Sequence, residues 1–230
     1  MNSDLIVYKS SDLNIGQFRI GRMRNFTYII ESEGEAFIVD PQDDLALPRA
    51  YLKNLNANLV GVLLTHTHWD HILGVPQLVK EFPNNGVYFH REELKRMDSS
   101  ISASYKFLSD GSSLAFGNQK VKVLHTPGHS KGEICFFIEH VQGHGEVQVR
   151  SRHLFTGDTV FIGDVGRTDL DGGSSKELFE TLQRLKTLDP DTVVYPGHDY
   201  GSRPISTLGE ESKLSKAFLC DSWESLDALP

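Results

Sequence analysis

Cysteine is scarce in this chain, with Cys135 and Cys220 the only two among 230 residues. Two thiols build no disulfide framework, and Cys135, inside the apolar run ICFFI, is expected to be a buried structural thiol. Long apolar runs are missing too, so no segment approaches the roughly 20 residues that a membrane helix needs. The opening stretch MNSDLIVYKSSDLNIGQF has no basic start followed by an apolar core. No secretory leader is therefore read there, and the cytoplasm is the expected location. Basic residues are outnumbered, 23 Lys and Arg against 31 Asp and Glu, which leaves a formal net charge of −8. That balance is wrong for a protein that displaces counterions from a phosphate backbone, so neither nucleic acid nor a membrane is expected as a partner. Repeats and low-complexity linkers are absent as well, and residues 1–230 read as one domain.

What is present is a series of short runs rich in β-branched and aromatic residues, bounded by Gly, Pro, Asn or Asp. They fall at 26–30, 36–40, 59–65, 87–90, 121–125, 134–140, 153–157 and 192–197. ESEGE at 31–35 predicts a hairpin turn between the first two, and 141–152 an extended hairpin whose neighbours His140, His144 and His153 face solvent. Helices are predicted at about 44–55, 73–82 and 175–187, the last with Leu178, Leu182 and Leu185 at helical spacing. This order suggests two sheets with helices outside.

The chemistry is concentrated in Thr65-His66-Thr67-His68-Trp69-Asp70-His71, directly after the strand LVGVLL. Packing does not explain a strand that ends on three imidazoles and a carboxylate. Imidazole and carboxylate suit zinc, iron or manganese, and the lack of cysteine argues against a structural thiolate site. Four residues in one loop do not complete a two-metal site. Further candidates stand after later strands: His129 in TPGH, Asp158 in TGDT and His198 in YPGH. In each, glycine allows a sharp reversal, so the next side chain points across the strand ends.

Through THTHWDH, TPGHS, FTGDT and YPGHDY, the sequence resembles the metallo-β-lactamase superfamily from about Phe26 to Glu211. The resemblance implies a four-layer α/β/β/α sandwich with metals at one edge of the two sheets. By matched position, His66, His68 and His129 would form one metal site and Asp70, His71 and His198 a second. Asp158 would bridge them. The implied cofactor is a pair of divalent ions, zinc in the first instance, with iron and manganese compatible.

Within the superfamily, exported zinc β-lactamases place cysteine where Asp158 stands, RNA-processing members carry a large insertion, and flavin-linked di-iron members have Glu where His68 stands. Two branches fit better. His-Trp-Asp-His, TPGHSKGEICFF and FTGDTVF resemble glyoxalase II-like thioester hydrolases, in which a hydroxide shared by two metals attacks the thioester carbonyl. Glyoxalase II proper adds a helical C-terminal region for glutathione, for which the residues after His198 are too few. GDVGRTD at 163–169 and HDYG at 198–201 resemble persulfide dioxygenases instead. That branch implies one Fe(II) on His66, His129 and Asp158, acting on glutathione persulfide. A lactonase and a non-catalytic binding module stand further back.

The expected partner is a small thiol-derived ester or persulfide, and self-association remains open. Arg167 is a candidate for a substrate carboxylate, against a structural pair with Asp169. Tyr200 is a candidate hydrogen-bonding contact and Trp69 a shield at the site. His90 and His125 are read as structural.

Overall fold

The computed structural model describes residues 5–143 and 148–229. Seven strands form the first sheet: β1 (Leu5–Lys9), β2 (Asn14–Ile20), β3 (Asn25–Ser32), β4 (Glu35–Val39), β5 (Asn58–Leu63), β6 (Gly86–His90) and β7 (Tyr105–Leu108), in that spatial order. The β1–β4 part is antiparallel, and β4 to β7 run parallel. Helices α1 (Ala46–Leu55) and α2 (Val75–Glu81) make two of the crossovers that parallel strands require.

The second sheet follows from β8 (Ser113–Phe116), β9 (Gln119–His125), β10 (Ile134–Gln142), β11 (Val149–Gly157), β12 (Val193–Pro196) and β13 (Ser206–Thr207). Helix α3 (Ser175–Leu185) crosses from β11 to its parallel neighbour β12. Three short helices close the chain: α4 (Leu208–Leu214), α5 (Lys216–Leu219) and α6 (Trp223–Asp227).

Three apolar layers hold the sandwich together. Phe26, Tyr28 and Ile30 of β3 point inward against Ile134, Phe136 and Ile138 of β10. Ile29 of β3 and Ile38 of β4 point the other way, with Tyr51 and Leu52 of α1 and Leu78 of α2 packed in the same layer. Cys135 and Leu154 likewise meet Leu178, Leu182 and Leu185 of α3. Both faces of the central strands are covered, which is why they read as unbroken apolar runs. The result is the expected α/β/β/α order, and no helix among the described residues is long and apolar enough to cross a membrane.

The predicted strands and helices all form, within a few residues at their ends. The 31–35 turn forms, and β10 and β11 pair as far as Gln142 with Val149. Cys135 is fully buried. Two expectations fail: His140 and His153 are buried, not solvent-facing. Ile138 pairs with His153 and His140 with Ser151, so both histidines share the inward face of Ile138 and Phe155. His153 is tolerated there because Nδ1 lies 2.8 Å from the Tyr195 hydroxyl and Nε2 2.9 Å from Ser151 Oγ. His144 lies outside the described residues.

Burial, with a smaller contribution from His140, lowers the pKa of His153 from 6.5 to about 4. Below pH 6.5 the unfolded chain takes up a proton that the folded chain refuses until about pH 4. Stability is therefore whole above that window and falls across it, by up to about 3 kcal/mol. Urea midpoints of the chelated protein at about pH 7 and pH 4.5 check this, with His153→Gln expected to flatten the fall. Equal falls in the two proteins would remove His153 as the cause.

Candidate metal centre

The leading loop is shaped by carboxylates that lie beneath it. β5 ends at Leu63, and Asp40, just past β4, receives the chain that follows. Its Oδ1 accepts Thr65 N at 2.8 Å and its Oδ2 accepts Thr65 Oγ1 at 2.6 Å and His71 Nδ1 at 3.0 Å. Glu93 accepts Thr67 N at 2.9 Å and Thr67 Oγ1 at 2.8 Å. With Thr65 and Thr67 tied down from below, His66 and His68 project from a fixed backbone. A single 3-10 turn, Trp69–His71, then brings Asp70 and His71 round.

The second sheet delivers the rest. After β9 the chain reverses at Gly128 with φ +152°, where a Cβ would lie 2.5 Å from Leu178 Cα, so only glycine fits. At the end of β11, Gly157 at φ +50° leaves room for the Glu133 carboxylate, which a Cβ would approach to 2.6 Å. His198 follows β12 and is stitched to the first sheet by Phe26 N to Gly197 O at 2.7 Å and Asp199 N to Arg24 O at 2.9 Å.

All seven sequence candidates meet. Three groupings bring their ligand atoms within 4.8 Å of one another: His66, His68 and His129; Asp70, His71 and His198; and His66, His71 and Asp158. Asp158 lies between the first two groupings. Its Oδ1 is 3.4 Å from His71 Nε2, and its Oδ2 is 3.4 Å from His198 Nε2 and 3.6 Å from His129 Nε2. The outer nitrogens are spent on oxygen acceptors: His129 Nδ1 donates to Arg167 O at 2.7 Å and His198 Nδ1 to Met23 O at 2.9 Å. Each Nε2 is thereby turned inward as a lone pair.

Among the seven candidate ligands, two buried atoms, His66 Nε2 and Asp158 Oδ1, have no hydrogen-bond partner. Buried polar atoms are rarely left so, and a cation among these nitrogens and oxygens would satisfy both. The residues therefore fit a metal. Electrostatics agree. Burial first, then the surrounding imidazoles, pushes His66 well down, and burial with His129 brings His68 to about 4, so both are neutral donors. Burial also opposes charge on His71, but Asp158, Asp40 and Asp70 outweigh it and push that imidazole up to about 10. Positive charge is favoured where the three carboxylates converge.

The site opens into a cavity of about 680 Å³ walled by Phe161, Val165 and Leu170, with Trp69, Arg96, Arg167 and Tyr200 also lining it. Trp69 is 62% exposed at this lip. Tyr200 stacks on His198 with ring centroids 4.6 Å apart. The Arg167 guanidinium makes two hydrogen bonds of 2.5 Å to Asp169, and its carbonyl is what touches the cluster. His90 and His125 stand apart, stacked on each other at 4.4 Å.

Sequence reasoning missed Asp40, Glu93, Glu133, and the pair Asn25 and Gln42. The last two donate to the Asp70 carbonyl, and Asn25 Nδ2 also reaches Asp70 Oδ2 at 3.0 Å. Asp40 ends the apolar run AFIV and Glu133 directly precedes ICFFI. A lone acid at the edge of an apolar strand was the available signal.

An α/β/β/α sandwich that gathers a metal-binding cluster of histidines and aspartates is the class that this fold and site define. The metallo-beta-lactamase superfamily model matches residues 20–198, and the chain belongs to that superfamily, whose members are mostly hydrolytic enzymes. A probable polyketide biosynthesis zinc-dependent hydrolase of Bacillus subtilis is 36% identical over 187 residues, covering 78% of this chain and 75% of the relative. A hydroxyacylglutathione hydrolase of Francisella tularensis subsp. novicida is 32% identical over 179 residues, covering 77% of this chain. The match spans only 64% of that relative's length. A protein solved in a di-iron-bound form is 29% identical with a TM-score of 0.69, covering 86% of this chain and 98% of that one.

Proposed function

We propose that the chain is a two-metal hydrolase of small thioesters, of the hydroxyacylglutathione type. The carrying observation is the place of Asp158, whose two oxygens reach toward both flanking clusters. In this reading His66, His68 and His129 hold one cation, Asp70, His71 and His198 the other, and Asp158 both. When bound, such a pair supplies hydroxide at neutral pH and polarises a carbonyl.

The protein's own contribution is preorganisation. Asp40, Arg167 O and Met23 O fix three imidazoles by their outer nitrogens, while Phe161, Val165 and Leu170 wall the cavity with apolar surface. A thiolate is a weak enough base to leave without a strong acid, which suits a site whose nearby imidazoles are committed to ligation. Relatives support both parts: one is described as a zinc-dependent hydrolase, another as a hydroxyacylglutathione hydrolase. Because the latter is matched over 64% of its length, the thioester bond is the core of the proposal and the glutathione part its extension.

One observation favours a second reading, an iron dioxygenase on His66, His129 and Asp158. The segment resembling that branch packs on two of these residues, with Gly166 N donating to Asp158 O at 2.9 Å and Arg167 O accepting from His129. A metal count on protein purified without added metal or chelator separates the two. About two ions per chain, with hydrolysis of a hydroxyacylglutathione thioester lost on chelation, is the expected result. About one iron per chain, with oxygen uptake on glutathione persulfide, would replace it.

A further inference from the structure

Glu133 is fully buried, yet no lysine or arginine among the described residues pairs with it. It stands at the crossing of three ligand-bearing loops. Its Oε1 accepts Asp158 N at 3.0 Å and lies 3.5 Å from His66 Nδ1, whose hydrogen bond is with Thr65 Oγ1 at 3.1 Å, while its Oε2 lies 3.3 Å from Ser130 Oγ, next to His129 and bonded more closely to Glu93. Its backbone takes part as well, with Thr126 N donating to Glu133 O at 2.9 Å. Glu93, the neighbouring buried acid, is provided for differently, with hydrogen bonds from Thr67, Ser130 and Gly132 and an ion pair to Arg96 at 3.3 Å. Glu133 instead faces Asp158 and Glu93, two groups of its own sign, offset in part by the His71 imidazole. An acid in that position is costly unless positive charge arrives from elsewhere.

We propose that Glu133 is a positioning residue of the metal centre: it holds the Asp158 backbone and supplies buried negative charge beside His66 and Asp158 to the cations they hold. The inference rests on the two-metal ligand set above. In that set only Asp70 and Asp158 bring negative charge against two dications, so further carboxylates next to the ligands stabilise the loaded state. Asp40 does this beneath His71 and Glu133 beneath His66 and Asp158. Carboxylates behind metal-bound histidines act in this way generally.

Charge supply and packing make opposite predictions for the empty protein. Glu133→Gln keeps the side chain's length and an acceptor for Asp158 N but removes the charge. Without metal, the variant should melt at or above the temperature of the metal-free wild type, because like charges no longer crowd. Its zinc affinity, measured by competition with a chelating dye, should fall about 10- to 100-fold, and Glu133→Ala should fall at least as far. A Gln variant that binds zinc within about threefold of the wild type overturns the inference, since the expected loss is larger. So does one whose metal-free melting temperature drops together with affinity, which is the signature of packing. A wild type that takes up no zinc overturns the ligand reading and this inference with it. Zinc uptake by both proteins with matching affinity overturns this inference alone.

Discussion

Replacing Asp158 with alanine is expected to strip most of the metal and to cut the proposed thioester hydrolysis at least about 1000-fold, on the order of 4 kcal/mol of transition-state stabilisation. Among the described residues, Asp158 is the carboxylate that lies within 4 Å of imidazoles from both flanking groups. His71 Nε2 and His198 Nε2 are already 3.2 Å apart, and His129 Nε2 and His68 Nδ1 2.8 Å. Asp158 lies within 3.6 Å of three of these imidazoles, and without it the His71 and His198 pair keeps only Asp70 on its Nε2 side while the His68 and His129 pair loses its carboxylate. The backbone should persist, because Asp158 N is held by Glu133 whatever side chain follows. Metal content by plasma mass spectrometry, kcat/KM and a circular dichroism spectrum together decide the matter. Full activity with two metals in the alanine variant would end the bridging assignment.

The second large effect is expected at Asp40, and there it falls on stability as well as metal. Asp40→Ala leaves Thr65 N, Thr65 Oγ1 and His71 Nδ1 without their acceptor inside the protein. It also places alanine at φ +46°, a left-handed conformation that aspartate tolerates better. Breaking such a buried, charge-assisted network costs about 3–5 kcal/mol. Metal affinity should fall a further 10- to 100-fold, roughly the range for a carboxylate behind a ligand histidine. Urea unfolding of the chelated protein measures the first loss and zinc titration the second. Asp40→Asn, which retains an acceptor for Thr65 N, should recover part of the stability. A loss below about 1 kcal/mol in the alanine variant would mean that Thr65 and His71 find other partners.

The central strands and the seven clustered side chains were legible because each is written locally. Runs such as FTYII and ICFFI are apolar on both faces, and His129, Asp158 and His198 each follow a strand and a glycine turn. The edges were not. β7 and β8 have four residues each and the closing helices four to seven, too short for a periodic pattern to emerge. β2, NIGQFRI, mixes polar residues into a strand whose Gln17 is buried only because it meets the Tyr28 hydroxyl and Pro204 O. His140 and His153 were misplaced for a related reason: their polarity suggested solvent, and only the register with Ser151 and Ile138 turns them inward. Glu93 sits in the charged run HREELKR and carries no local sign of burial. Its partners Thr67 and Ser130 lie 26 and 37 residues away, and only the folded chain brings them together.

The division of the cluster between two sheets has a mechanical meaning. His66, His68, Asp70 and His71 leave the first sheet, whereas His129, Asp158 and His198 leave the second. A cation held as proposed therefore clips together points far apart along the chain, such as His71 and His198, which are separated by 127 residues. Such a clip does what a long-range disulfide does in an extracellular protein, removing freedom from the unfolded chain by closing a large loop. It does so in a chain with two cysteines, one buried and the other only partly exposed. A cation so held would double as a reversible cross-link, and its removal would lower stability as well as turnover.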